Sequence, residues 1–404
     1  MLSTVARTLR IKSRTKYTAQ VVLLGALLGG SVSNPTLAAT PPPKENTYAL
    51  HVNYLEEASE GLYEVQFNHK YNVVMTAVID RVKAAEDIGY VYAFDSESMQ
   101  PRWRVRMPHQ SFSLAQDRQN NKLFVGHAKN NALRLSRIDI ATGQIEKTGE
   151  RLQVQPATFE GNQGIRHMVY VPETNELFVV YSSTSSEATG KINGQKLLVV
   201  DPETLAVKGE VENAYPDRGY ALYYDEESKK LYTAGKFIAE IDPESRKVVR
   251  TLDVSKLSPS VENILALTID NQHQRIFAAH NIFRSEGEND GVYVLDLNTG
   301  EQLGFIRSGR GSISVAYDAQ RNDVYVANFR GGNISVIDGD NYEVKKTFDI
   351  GPLPNEMAFD AEKSRLYVGL KDVYSARSST GDFVAGSKER LLKIELPQDD
   401  AKVK

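Results

Sequence analysis

The sequence predicts an all-β chain folded as a seven-bladed β-propeller, on three observations. A strand motif recurs about every 50 residues, apolar residues alternate with period 2 inside the strands, and Asp, Gly, Asn and Pro mark the turns between them. Each unit holds an alternating strand, a polar turn, a second strand opening on an aliphatic residue and an aromatic, a variable loop, and a third strand ending in Asp. The aromatic recurs as Phe124, Phe178, Tyr232, Phe277, Tyr325 and Tyr367, at intervals of 54, 54, 45, 48 and 42 residues. The acid recurs as Asp95, Asp139, Asp201, Asp242, Asp296 and Asp338, with Glu395 in the seventh place. Runs such as Val292-Tyr293-Val294-Leu295 and Ile334-Ser335-Val336-Ile337 support strands, and no long helical period competes with them. Seven such units fit blades, of the WD40-like kind, better than a β-sandwich or an open solenoid.

Residues 1–39 read as a secretory signal peptide. Arg7, Arg10, Lys12, Arg14 and Lys16 precede an apolar run from Val21 to Leu28, and small residues lead to Ala38 and Ala39. That run is short for a bilayer span, which takes about 20 apolar residues, so the expected product is exported to the periplasm with no membrane span. Residues 40–397 form one propeller domain and 398–404 a tail; no linker divides the chain.

Composition removes several function classes. The 404 residues are 41% hydrophobic and 25% charged, enough to build a large core. With 48 basic and 52 acidic side chains the net charge is −4, and loss of the first 39 residues leaves 43 against 52, a net of −9. Such a total does not mark a protein that coats nucleic acid, so any anion binding must be local. The absence of cysteine excludes disulfides, thiolate metal sites, Fe–S clusters and cysteine nucleophiles.

Ring closure is visible at the termini. The last unit supplies strands near 356–359, 365–368 and 391–394 and then ends at Pro397 without a fourth. The alternating segment Thr47 to Tyr54 is suited to complete that blade and cover its edge. Pro101-Arg102-Trp103-Arg104-Val105-Arg106, after Asp95, falls on an outermost strand, where three guanidiniums on one side act as edge protection rather than a nucleic-acid stripe.

The stretch from Tyr325 to Val368, opening on Tyr325-Val326-Ala327-Asn328, resembles the YVTN-type propeller repeat. GLYEVQFN in the first blade and RHMVYVPETNELFVV in the third extend the resemblance over almost the whole mature chain. It implies a periplasmic seven-bladed propeller of the type found in enteric bacteria. It also implies single-stranded DNA as a proposed ligand, and no established enzymatic activity.

The residues themselves suggest where a ligand sits. Turns joining first to second and third to fourth strands share one face, which the recurring Asp residues make acidic. The opposite face is richer in base, and Gln110, Arg166, Arg218, Asn263, Arg310 and Asn355 lead into the innermost strands, predicting a positive mouth to the central channel. Several bases there adjoin aromatics, and guanidinium groups with stacking faces suit phosphates and bases. The candidate ligand-binding residues are Arg166, Arg218, Lys236, Phe283, Arg284, Arg310, Phe329 and Arg330. The competing reading packs these aromatics between blades and pairs the arginines with acids.

The expected function is therefore a non-enzymatic, monomeric binding propeller holding an anionic ligand, single-stranded nucleic acid among them. An enzyme of lactonase or hydrolase type, or an envelope protein scaffold, is the alternative. No hydrolase elbow, zinc motif or dinucleotide fingerprint is present, so no catalytic residue, metal or cofactor is assigned. His109, His127, His167 and His280 are the one set that convergence of loops would have to bring to a metal. Arg166 and His167 are the pair a lactonase would use, but neighbours on a regular strand point oppositely.

Overall fold

The computed structural model describes residues 49–54, 61–79, 87–127, 133–154, 162–184, 192–215, 219–257, 264–281, 290–351, 353–371 and 389–396. Its strands form seven sheets of four, each an antiparallel meander. Among the described residues there is no helix. The innermost strands of blades 1 to 7 are Leu62–Asn68, Ser111–Asp117, Asn162–Val171, Gly219–Asp225, Ile264–Asp270, Ser312–Asp318 and Pro354–Asp360. Each touches the innermost strand on either side, and blade 7 returns to blade 1, so the ring is closed.

Closure follows the expected route. In blade 7, Pro354–Asp360 pairs with Arg365–Leu370, that strand with Arg390–Glu395, and the outermost place is taken by Ala49–Tyr54. This N-terminal strand runs antiparallel to its neighbour from Ala49 opposite Glu395 to Tyr54 opposite Arg390. It gives the edge of Arg390–Glu395 a hydrogen-bonding partner, which an open edge would otherwise seek in another chain.

The recurrent aromatic explains what holds the blades together. Seven separate apolar clusters each draw on two neighbouring blades. Phe124 sits in the cluster between blades 2 and 3, Phe178 between 3 and 4, Tyr232 between 4 and 5, and Phe277 between 5 and 6. Tyr325 and Tyr367 continue the series, and Met75 fills the equivalent place in blade 1. Every one is at most 4% exposed. Each is a wedge driven from one sheet into the next, and truncating such a ring to alanine costs roughly 3–5 kcal/mol.

The recurrent Asp belongs to the turns. Asp139 accepts hydrogen bonds from the Thr142 backbone N–H and hydroxyl at 2.9 and 2.8 Å. Asp201 and Asp296 each accept one from the backbone N–H three residues on, at 2.7 Å. These side chains replace missing backbone partners and fix the connection between third and fourth strands. Lys345 further pairs with Asp323 and Asp338 on the same face, at 2.6 and 3.0 Å. The acidity of this face is thus largely engaged in building it.

Pro101–Met107 is the outermost strand of blade 1, as expected. Arg102, Arg104 and Arg106 are exposed, whereas Trp103 turns toward blade 2 and donates to the Ile140 carbonyl at 2.9 Å. Arg104 lies over the Tyr90 ring, 4.2 Å from its centre.

Candidate functional site

Every innermost strand departs from regular pairing at its start. The register slips between Leu62 and Val65, Ser111 and Ser113, Ile165 and Met168, Gly219 and Ala221, Ile264 and Ala266, Ser312 and Ser314, and Pro354 and Glu356. A bulge sets two residues against one and re-aims side chains that a regular strand would send to opposite faces. Here it does so seven times at the channel wall.

The bulged positions enclose a cavity of about 300 Å³ on the ring axis. Its wall is Tyr63 and Glu64 from blade 1, Phe112 from blade 2, Arg166 and His167 from blade 3, Leu265 from blade 5, Ile313 from blade 6, and Asn355, Glu356 and Lys371 from blade 7. That volume is at the small end of ligand pockets. The expectation that Arg166 and His167 diverge is corrected by the bulge between Ile165 and Met168, which presents both to the cavity.

The charges are arranged by sector. Arg166 lies 5.1 Å from the Phe112 ring centre and donates through Nε to the Ser182 hydroxyl at 3.1 Å. Across the ring, Glu64 accepts from the Leu114 N–H at 3.0 Å and the Gln66 amide at 2.9 Å. Glu356 accepts from the Ser314 hydroxyl at 2.7 Å. Lys371, 7% exposed, holds its ammonium 3.5 Å from the centre of the Tyr63 ring. Asn355 donates its amide to the Tyr63 carbonyl at 2.7 Å, joining the last blade to the first.

Burial governs ionisation here, because a charge loses water without an equivalent replacement. Glu64 is pushed up to about 8, first by desolvation and then by the field of Glu356. Glu356 rises to about 7 through desolvation, against the hydrogen bonds from Ser314 and the Met357 N–H and the field of Lys371. His167 falls to about 4 through burial and the charge of Arg166, and is neutral at pH 7. At neutral pH His167 is therefore neutral, Glu64 is mostly protonated and Glu356 stands near the midpoint of its ionisation, in the same wall as Arg166 and Lys371.

The other sequence candidates lie elsewhere. Arg310 is exposed, two residues before the innermost strand of blade 6. Phe329 and Arg330 follow the second strand of that blade and are half-buried. Arg330 hydrogen-bonds the buried Asp290 carboxylate and donates to Asn281 Oδ1 at 3.2 Å, while Asp290 also accepts from the Gly311 N–H at 2.6 Å. Arg330 thus ties blade 5 to blade 6. Lys236 is half-buried between the second and third strands of blade 4. Arg218, Phe283, Arg284 and Asn263 lie outside the described residues. Of the expected mouth residues, Arg166 and Asn355 reach the cavity, and Gln110 is buried at its loop.

The histidines do not form a metal site. His109 bonds Asp87 at 2.8 Å, and its ring sits 5.5 Å from that of His127, which bonds Ser136 at 2.8 Å. His280 is buried against Tyr293, 5.4 Å between ring centres. Among the described residues no three His, Asp or Glu side chains group to hold an ion.

Sequence reasoning missed Glu64, Glu356, Tyr63 and Phe112, and it places Lys371 on the base-rich face without assigning it to the site. A signal was present: aligned on the residue that closes each innermost strand, the wall residues Tyr63, Phe112, Arg166, Leu265, Ile313 and Asn355 all stand five places before it, with Glu64, His167 and Glu356 four places before. Lys371 follows a second strand and has no such register.

Comparison with known proteins agrees with the fold and the resemblance. The chain is 28% identical to the uncharacterised protein YncE of Salmonella typhi, over 93% of this chain and 96% of that one. It is 25% identical to the uncharacterised YncE of Escherichia coli (strain K12), over 87% and 93% respectively. It is thus a seven-bladed propeller similar over most of its length to the YncE proteins. No family model matches the chain. Among solved structures, the β-propeller domain of Cps50 (Swd1) from Myceliophteria thermophila superposes with a TM-score of 0.54 at 12% identity, covering 87% of this chain and all of that one. This last likeness is one of fold alone.

Proposed function

We propose that the protein is a non-enzymatic binding propeller of the periplasm that takes a small anionic ligand into its central cavity. The observation that carries this reading is the presence of Arg166 and Lys371 in the wall of one cavity, beside Tyr63 and Phe112. A guanidinium in a partly desolvated pocket binds carboxylate or phosphate through paired N–H groups, and the Tyr63 and Phe112 rings, 3.9 Å apart between centres, hold Lys371 and Arg166 in place. Burial raises Glu64 to about 8 and Glu356 to about 7, which lessens the repulsion that two full carboxylates would otherwise exert on the anion. A volume of about 300 Å³ suits a single small molecule better than a polymer strand. An oligonucleotide would instead engage the loop face that bears Arg310 and Lys236.

Calorimetry of the mature chain against small carboxylates, phosphate monoesters and a single-stranded oligonucleotide tests the reading. At least one small anion is expected to bind, more weakly at high salt, and Arg166→Ala is expected to reduce its affinity roughly tenfold or more, about 1.4 kcal/mol. Oligonucleotide binding that is indifferent to Arg166→Ala, with no small anion bound, would overturn it. A second reading, hydrolysis, is favoured by Arg166 and His167 sharing the cavity; turnover of a lactone and ester panel, lost in His167→Ala, would support it.

A further inference from the structure

We infer that the central cavity is built for a zwitterion, its carboxylate held by Arg166 on blade 3 and its ammonium by Glu64 and Glu356 on blades 1 and 7, with an apolar side group against Leu265 and Ile313. The inference rests on the proposal that Arg166 holds an anion, and it adds the second pole.

The geometry comes from the order of the blades. Blades 7 and 1 are neighbours in the closed ring, and blade 3 lies two blades from one and three from the other. Arg166 and the two glutamates therefore line separate sectors of the cavity, and Leu265 of blade 5 and Ile313 of blade 6 supply apolar wall in the arc between blades 3 and 7. A simple anion would use only the cations, Arg166 and Lys371, and would leave the two carboxyl groups, of which Glu356 also feels the field of Lys371, with no counterpart from the ligand. Donors already in place orient both carboxyls as acceptors: the Leu114 N–H and Gln66 amide at Glu64, the Ser314 hydroxyl at Glu356. An ammonium group brings the additional N–H donors such acceptors take.

Binding has a proton signature. The titratable groups facing the cavity are Glu64, Glu356, His167, Tyr63, Arg166 and Lys371. Near neutral pH the two glutamates are the groups poised to change state, at about 8 and 7, while His167, at about 4, stays neutral. A ligand ammonium favours both carboxylates, so its arrival expels protons to solvent. A ligand with an anionic group alone favours the protonated carboxyls and draws protons in.

The test uses three probes of one shape: phenylalanine, 3-phenylpropionate, which lacks the amine, and phenethylamine, which lacks the carboxylate. Each is titrated calorimetrically at pH 7 into the mature chain in two buffers of different ionisation enthalpy. Phenylalanine is expected to bind roughly tenfold more tightly than either partner and to release protons, and Glu64→Gln is expected to shrink that preference several-fold. The Glu64→Gln melt is followed in parallel to confirm folding. Equal affinity for phenylalanine and 3-phenylpropionate, with proton uptake, would overturn the zwitterion and leave the anion site standing. No binding by any probe overturns this pocket assignment, while the anion reading is still judged by its own panel.

Discussion

Glu64→Gln should remove the largest carboxyl contribution to a loss of stability with rising pH, a contribution that the buried His127 and His167, depressed to about 3 and 4, oppose below pH 6.5 in both proteins alike. The carboxyl is 9% exposed and its ionisation lies at about 8, against an ordinary 4.5 in the unfolded chain. Between those values the native state binds more protons than the unfolded state, so stability falls with rising pH; it is fully present below 4.5 and lost by the time pH passes 8. Three and a half pH units at about 1.4 kcal/mol each make the total about 5 kcal/mol, of which about 4 falls between pH 5 and pH 8. Glutamine preserves the volume and an acceptor for the Leu114 N–H, and it cannot ionise. For a chain of this length that difference is worth about 5 °C in Tm. Melts of both proteins at pH 5, 6, 7 and 8 should therefore converge at the acid end and separate toward pH 8, with the variant the more stable. Glu356, raised to about 7, leaves a smaller slope in the variant. Parallel curves across the range would refute the assignment of a buried, proton-binding Glu64.

Two further outcomes concern the frame that holds the cavity. A chain beginning after Tyr54 leaves the edge of Arg390–Glu395 open, and it should melt several degrees lower and self-associate in gel filtration; an unchanged monomer with an unchanged melt would contradict the role of the closing strand. Arg275, 6% exposed, bonds the Asp270 carboxylate and Asn322 Oδ1 and reaches the Gly339 carbonyl, joining blade 5 to blade 6. Arg275→Lys keeps the charge but loses the planar fork, so a loss of roughly 2 kcal/mol in denaturant unfolding is expected, and a neutral result would show the tie to be dispensable.

The blades were legible because their signals are local. An aromatic opening the second strand and an Asp closing the third each act within one unit or on the next blade, so Phe178 and Asp201 read the same in sequence as in space. The closing strand was legible for a similar reason: the seventh unit lacked a fourth strand, and 47–54 was the apolar segment left over. The cavity was not. Period-2 alternation carries no mark of a bulge, and without one Arg166 and His167 appear to diverge, as do Tyr63 and Glu64. Glu64 and Glu356 meet only because the ring brings blade 7 back to blade 1, as the bond from Asn355 to Tyr63 shows. Arg330 misled for the opposite reason: a base beside an aromatic on a loop looks free until Asp290, 40 residues away, is seen beneath it.

The most direct measurement is a crystal structure of residues 40–404 with the tightest-binding anion of the panel. Ligand density on the ring axis, with its anionic group against Arg166, is the predicted result. Density confined to the loop face around Arg310, with the axial cavity holding only water, would contradict the account.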